Sequence, residues 1–268
     1  MGITHGRSLE DVKVQRSLGG LPYTNNISVT GFIDDLTATW QIASPNSLVA
    51  NLPHGQLATA DFVSVASTSA NDSVAGTGAQ VVSITGVDEN YMEYQEIVLL
   101  NGQTPVQTVA KMIPFELIIL SFGTNVNGDG DNVSVGTIYC GTGTFTAGVP
   151  AVPLTAIEPS SADPNSRDAL FTVPDGKLLL WKSMFVTADP DKKENTSAIV
   201  QIALNLFGFG ENQWFKSLPY YFDGVYNDIP ENIAPIPPRT KIQFRVKSTI
   251  AKTKAVSIQA DFEMKELR

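Results

Sequence analysis

Two histidines, one cysteine and 27 carboxylates set the chemistry that this 268-residue chain can offer. Acyl transfer and hydrolysis need a nucleophile with a base held beside it, most often histidine. His5 lies near the chain start and His54 in Asn51-Leu-Pro-His-Gly55, and neither sits in a catalytic motif. Both read as loop or capping residues. Glycoside hydrolysis uses two carboxylates facing one bond, but Glu93 and Glu96 are three apart in a strand pattern and so point to opposite faces. Asn127-Gly-Asp-Gly-Asp-Asn132 gathers oxygen ligands on a flexible loop, which suits a hard cation such as Ca²⁺. It lacks the closing glutamate of an EF-hand, because the twelfth residue from Asp129 is Cys140. The loop reads first as a hairpin turn, with Ca²⁺ on Asp129 and Asp131 as the alternative. Gly76-Thr-Gly78 is followed by no Gly-Lys-Ser/Thr and is not a phosphate loop. The expectation is a protein without catalytic residues or cofactor.

The most unusual stretches are Gly208-Phe-Gly-Glu-Asn-Gln-Trp-Phe215 and Pro219-Tyr-Tyr-Phe-Asp-Gly-Val-Tyr226. Trp214, Phe215, Tyr220, Tyr221 and Tyr226 are the candidate interaction residues. Aromatic loops on a β-scaffold stack on sugars, fill a core or make a subunit contact. Core or contact is the favoured reading, and glycan binding the second.

These groups must be held by strands. From Ala58 the chain breaks into short β-branched runs: 61–67, 79–85, 94–100, 114–121 and 132–139, separated by turn residues. Asn101-Gly102 is expected to make a tight hairpin into 103–109. Further on, Val200, Ile202, Leu204 and Leu206 alternate with other residues, as do Ile242, Phe244 and Val246, and Val256, Ile258, Ala260 and Phe262. Such alternation marks antiparallel strands with one face buried. Gln243 and Ser257 fall on the outward positions.

The fold class is therefore all-β: two antiparallel β-sandwich units, jelly-roll or immunoglobulin-like, behind an extended amino-terminal arm. Residues 1–57 form the arm and first strands, 58–154 an acidic sandwich and 155–268 a second sandwich. Val149-Pro-Ala-Val-Pro153 and Glu158-Pro-Ser-Ser-Ala-Asp-Pro164 are expected to join the units, because proline cannot donate to a ladder. The arm, Met1 to Gly19, is expected to be held by a neighbouring subunit or by its own domain.

Charge divides the chain in the same way. Residues 58–150 carry one base, Lys111, against nine acids, a balance of −8, whereas 167–268 carry 14 bases and 12 acids, a balance of +2. The net charge of −9 argues against a nucleic-acid groove, which needs a basic stripe. No apolar run spans a bilayer as a helix and no signal peptide opens the chain, so neither membrane nor export is expected. The sequons at Asn26, Asn71, Asn132 and Asn195 then read as turn sequence. With one cysteine, Cys140, no disulfide can form within the chain, and a buried thiol is expected.

Four pieces carry a resemblance: Val63-Ser-Val-Ala-Ser-Thr-Ser-Ala-Asn-Asp-Ser-Val-Ala-Gly-Thr-Gly-Ala79; Val82-Ser-Ile-Thr-Gly-Val-Asp88 with Glu96-Ile-Val-Leu-Leu-Asn-Gly-Gln-Thr-Pro-Val106; Phe171-Thr-Val-Pro-Asp-Gly-Lys177; and Ile236-Pro-Pro-Arg-Thr-Lys-Ile242. In this order and spacing they resemble a family of virion structural proteins of tailed bacteriophages, especially those of marine bacteria and cyanobacteria. The resemblance implies a virion component made in the host cytoplasm. Its partners would be copies of itself and other virion proteins, and its work to cement, connect or decorate. A receptor- or carbohydrate-binding module of the tail is the alternative.

Overall fold

The computed structural model describes residues 25–33, 41–42, 57–159, 164–166, 168, 170–190, 199–207, 213–221, 225–228, 235–248 and 253–267. Every regular element among them is a strand, and every strand pair is antiparallel. In chain order these are β1 (Asn25–Ile33), β2 (Gln41–Ile42), β3 (Ser64–Ser67), β4 (Ala79–Asp88), β5 (Glu93–Leu99), β6 (Val106–Gln107), β7 (Met112–Phe122) and β8 (Ile138–Thr146). There follow β9 (Val149–Ile157), β10 (Leu170–Thr172), β11 (Lys177–Pro190), β12 (Ile199–Phe207), β13 (Gln213–Tyr221), β14 (Val225–Asp228), β15 (Lys241–Ser248) and β16 (Thr253–Glu266).

The middle of the chain forms two sheets, ordered β5-β4-β7 and β6-β3-β8-β9. Inward positions of both feed one core, with Val65, Ile84, Val98, Leu117, Ile138, Cys140 and Leu154 among its members. Cys140 is fully buried, and burial pushes its thiol far up, so it packs as a small hydrophobe.

The rest of the chain forms two more sheets, β1-β16-β11-β14 and β10-β15-β12-β13, with β2 added beside β15. β1 pairs along its whole length with β16, from Asn25 opposite Met264 to Ile33 opposite Val256. An amino-terminal strand thus completes a sheet built by the last third of the sequence. Val29, Met184, Phe244, Ile258 and Phe262 meet in the core between these two sheets. Residues 1–19, the expected arm, lie outside the described residues.

Three local expectations are corrected. Asn101-Gly102 does not close a hairpin: β5 stays in one sheet while β6 pairs with β3 in the other. Gly102 does take the left-handed φ of +59°, but its backbone is committed to the loop that follows β3. Its N–H donates to Asp72 O and its carbonyl accepts from Ser67 N, each at 2.9 Å. Val149–Pro153 is no linker but part of β9, an edge strand, where a missing N–H is tolerated. Ala147 and Gly148, with φ of +49° and +82°, make the tight turn before it. The strand expected at 132–139 begins only at Ile138, because upstream N–H groups are taken by a carboxylate.

That carboxylate is Asp72. It is fully buried and accepts from Ser67 Oγ at 2.5 Å, Ala79 N at 2.8 Å, Val135 N at 2.9 Å and Gly136 N at 2.8 Å. Four donors from three stretches of chain satisfy a charge that burial would otherwise penalise. Gln243 also departs from expectation, being fully buried. Arg245 Nε donates to its Oε1 at 2.7 Å.

The cleft where the two β-units meet

β4 and β7 pair with a shift between Thr85 and Gly86, where Thr85 faces Glu116 and Gly86 faces Pro114, leaving Phe115 without a cross-strand partner. A bulge re-aims the extra side chain. Phe115 leaves its own core and packs on Phe171, ring centroids 4.7 Å apart, inside the core of the other unit, with Val87 and Ile113 beside it. Gly86 permits this approach, since a Cβ there would stand 2.3 Å from Ile113 O.

Backbone and polar bonds fix the same joint. Ile119 N donates to Pro164 O, Ser166 N to Leu117 O, and Leu117 N to Ser166 Oγ at 3.0 Å, so residues 164–166 line the edge of β7. Asp168, nearly buried, accepts from Thr155 Oγ1 at 2.5 Å and Ala156 N at 3.1 Å, tying β9 to the approach of β10. Lys241 Nζ donates to Leu57 O at 2.5 Å.

The hairpin tip between β4 and β5 adds a latch. Tyr91 sits at a φ of +61° and its carbonyl accepts from Asp175 N at 2.7 Å. Arg239 pairs with Asp175 through Nε–Oδ1 at 3.0 Å and Nη2–Oδ2 at 2.9 Å, with its guanidinium 5.5 Å from the Tyr91 ring centre. Those bonds hold the Asp175 carboxyl below its ordinary value. The stretches 171–177 and 236–242 are thereby neighbours: Arg239 N donates to Val173 O and Val173 N to Thr240 O.

Beside this joint lies a cleft of about 310 Å³. Its lining combines Asn26 to Thr30 of β1 with Thr85, Glu93 and Glu116 of the middle sheets and with Ser166, Asp168 and Phe171. Three carboxylates and several hydroxyls line it and no base does. Burial pushes the Glu116 carboxyl above its ordinary value. The volume is at the small end for ligand sites, enough for one sugar ring or one long side chain, and the lining favours hydroxyl donors or a cation.

Glu93, weighed in the sequence as a carboxylate, lines this cleft; the calcium and interaction candidates do not. Asp129 and Asp131 are exposed at a loop closed by the bridge between Val126 and Asn132. Asn127 Oδ1 accepts from both of their backbone N–H groups at 2.9 Å, so the loop is stapled by an asparagine side chain. Among the described residues no group of three His, Cys, Asp or Glu side chains could hold a metal ion.

Trp214, Phe215, Tyr220 and Tyr221 belong to β13 and Tyr226 to β14, so these aromatics stand on strands and not on the loops expected for them. Aromatic residues suit a pleated surface, and Pro219 is accommodated because β13 is an edge strand. Trp214 stands opposite Leu206, Tyr220 opposite Val200 and Tyr226 opposite Val186. The orientation of these side chains lies outside the described part of the structure. Glu116, Asp168, Phe115 and Asp72 were missed as key residues. The β4–β7 register with its bulge distinguishes Phe115 and Glu116, and long-range hydrogen bonds distinguish Asp72 and Asp168.

No protein-family model and no curated protein matches the chain. Among solved structures it is compared with that of infectious bursal disease virus Gt strain, at 11% identity and a TM-score of 0.20, over 90% of this chain and 72% of that one. The structure of the Gx strain of the same virus gives 13% identity and a TM-score of 0.21, over 90% and 68%. Scores of this size show no common fold.

Proposed function

We propose that this chain is a structural subunit of a tailed-phage virion, working by protein–protein contact and not by catalysis. The observation that carries the reading is the joint. Phe115, Val87 and Ile113 enter the core of the other unit, and the Arg239–Asp175 pair holds the hairpin tip against it. Two β-units that share buried side chains in one core suit a part that transmits force between neighbours. In this reading each unit is a β-sandwich, its two sheets packed face to face. The resemblance of residues 63–106, 171–177 and 236–242 to tailed-phage virion proteins supplies the particle.

Partners follow from the surface. Nine large hydrophobics between Phe62 and Val135 are exposed on the acidic unit, and exposed apolar area on a folded body invites a neighbour. Other copies and other virion proteins are the proposed partners, met after folding in the bacterial cytoplasm. The cleft favours a second reading, a receptor- or carbohydrate-binding module, because carboxylates beside hydroxyls are sugar-binding chemistry. The mass of the full chain in solution separates the two: a subunit self-associates, whereas a glycan module stays monomeric and binds sugar.

A further inference from the structure

We propose that the edge of β5 takes a strand from a partner protein, an extended segment in which alternate aliphatic residues are followed by lysine or arginine. This inference goes beyond the assembly reading and does not rest on it. β5 closes the sheet β5-β4-β7 on one side and among the described strands pairs only with β4. Leu100 N donates to Gln80 O and Asp88 N to Met92 O, so the even-numbered residues along β5 turn their backbone groups to β4. Successive residues of a strand alternate, which turns those of Glu93, Gln95, Ile97 and Leu99 outward. β5 contains neither the proline nor the lysine that commonly blunts a sheet edge. β9, the edge strand of the facing sheet, holds both Pro150 and Pro153.

The outer face of the sheet sets the partner's chemistry. Glu93, Gln95, Ile97 and Leu99 share that face, with Val81 opposite Leu99 and Ser83 between Ile97 and Ile118. Ile97 and Leu99 are 62% and 57% exposed, and Leu120, in the bulge of β7 beside Val81, is exposed too. One end of the face is thus aliphatic. The other is acidic, since Glu93 and Glu116 both line the cleft there, and neither belongs to a described ion pair. Lys111 is the single base between residues 58 and 150, so charge complementarity selects a cationic partner and disfavours the β5 of a second copy. Both ladders of this sheet are antiparallel, and an antiparallel partner runs from Leu99 toward Glu93. Its aliphatic residues then cover Ile97 and Leu99. The bases that follow them reach the cleft, whose volume of about 310 Å³ admits a lysine side chain. Main-chain bonds supply the affinity, and the contrast between the two ends of the face supplies the order.

Residue-resolved amide exchange on the full chain tests the proposal. The probe is a synthetic peptide matched to the seven residues of β5, blocked at both ends, with valine at its first and third positions, lysine at its fifth and seventh and threonine elsewhere. At saturation it is expected to slow exchange of Gln95, Ile97 and Leu99 by roughly ten-fold or more, while Tyr94, Glu96 and Val98, already turned to β4, keep their rates. Ile97→Lys is expected to abolish the effect and Glu93→Gln to weaken it several-fold, with the amides of β4 reporting that the sheet is intact. Val126→Lys makes the same charge change at another exposed position and is expected to leave the effect in place. A peptide of the same composition in reverse order, lysines first, is expected to give no protection. Equal protection by both peptides overturns the proposal, and so does unchanged exchange of the three amides. Protection already present without peptide overturns it too, assigning the edge to the chain itself when independent of protein concentration and to a second copy when it rises with concentration.

Discussion

Asp72 draws together Ser67, Ala79 and the 135–136 backbone. Asp72→Ala leaves three backbone donors without their acceptor, two of them buried, each buried one costing about 1–3 kcal/mol. The expected loss of stability is about 3 kcal/mol or more, measured by denaturant unfolding. Glu116 makes a pH-dependent prediction. Burial raises its carboxyl in the folded state, so its contribution to stability is present below the ordinary carboxyl value and lost as pH rises through the raised one. Glu116→Gln removes that loss. The variant is expected to be more stable than the parent at neutral pH by up to about 1 kcal/mol, allowing for its partial exposure, and the gain is expected to vanish in acid. Asp261 has the opposite sign. Burial alone would raise its carboxyl, but bonds from Ser28, Gln259 and Ser183 hold it below the ordinary value, so its stabilisation fades as pH falls. That background is common to variant and parent and cancels in the difference.

At the scale of the element, the bulge in β7 decides how the two units are joined. Phe115, 8% exposed, is the largest of the three buried side chains that the middle unit places in the other core. Phe115→Ala is expected to cost about 3 kcal/mol and to split one calorimetric unfolding transition into two. A single transition of unchanged width would show that the units are coupled by other bonds. Much of the strand content was legible in the sequence. Runs 79–85, 94–100 and 114–121 and the alternating segments at 241–247 and 256–262 all became strands, because period-2 burial leaves a direct trace. The joint and cleft were not legible. The bulge at Phe115, the pairing of β1 with β16 and the convergence of Glu93, Glu116 and Asp168 all depend on register between residues far apart in sequence. The prolines of β9 misled for a related reason: they mark an edge strand as readily as a linker, and only the ladder separates the two.

At the scale of the whole molecule, an acidic middle stretch packs through Phe115 against a stretch of balanced charge. The bases of the second unit whose ion pairs are described, Lys177, Lys182, Arg239 and Lys265, already have carboxylate partners within it. Self-association would therefore draw on apolar surface as well as charge, and salt should weaken it without abolishing it. Light scattering of the full chain at low and high salt is the measurement that bears most directly on the structural-subunit reading. The account predicts a closed oligomer at low salt that shifts toward smaller species, but not wholly to monomer, at high salt. A monomer at every concentration and salt would contradict it and turn attention to sugars in the cleft beside Glu116.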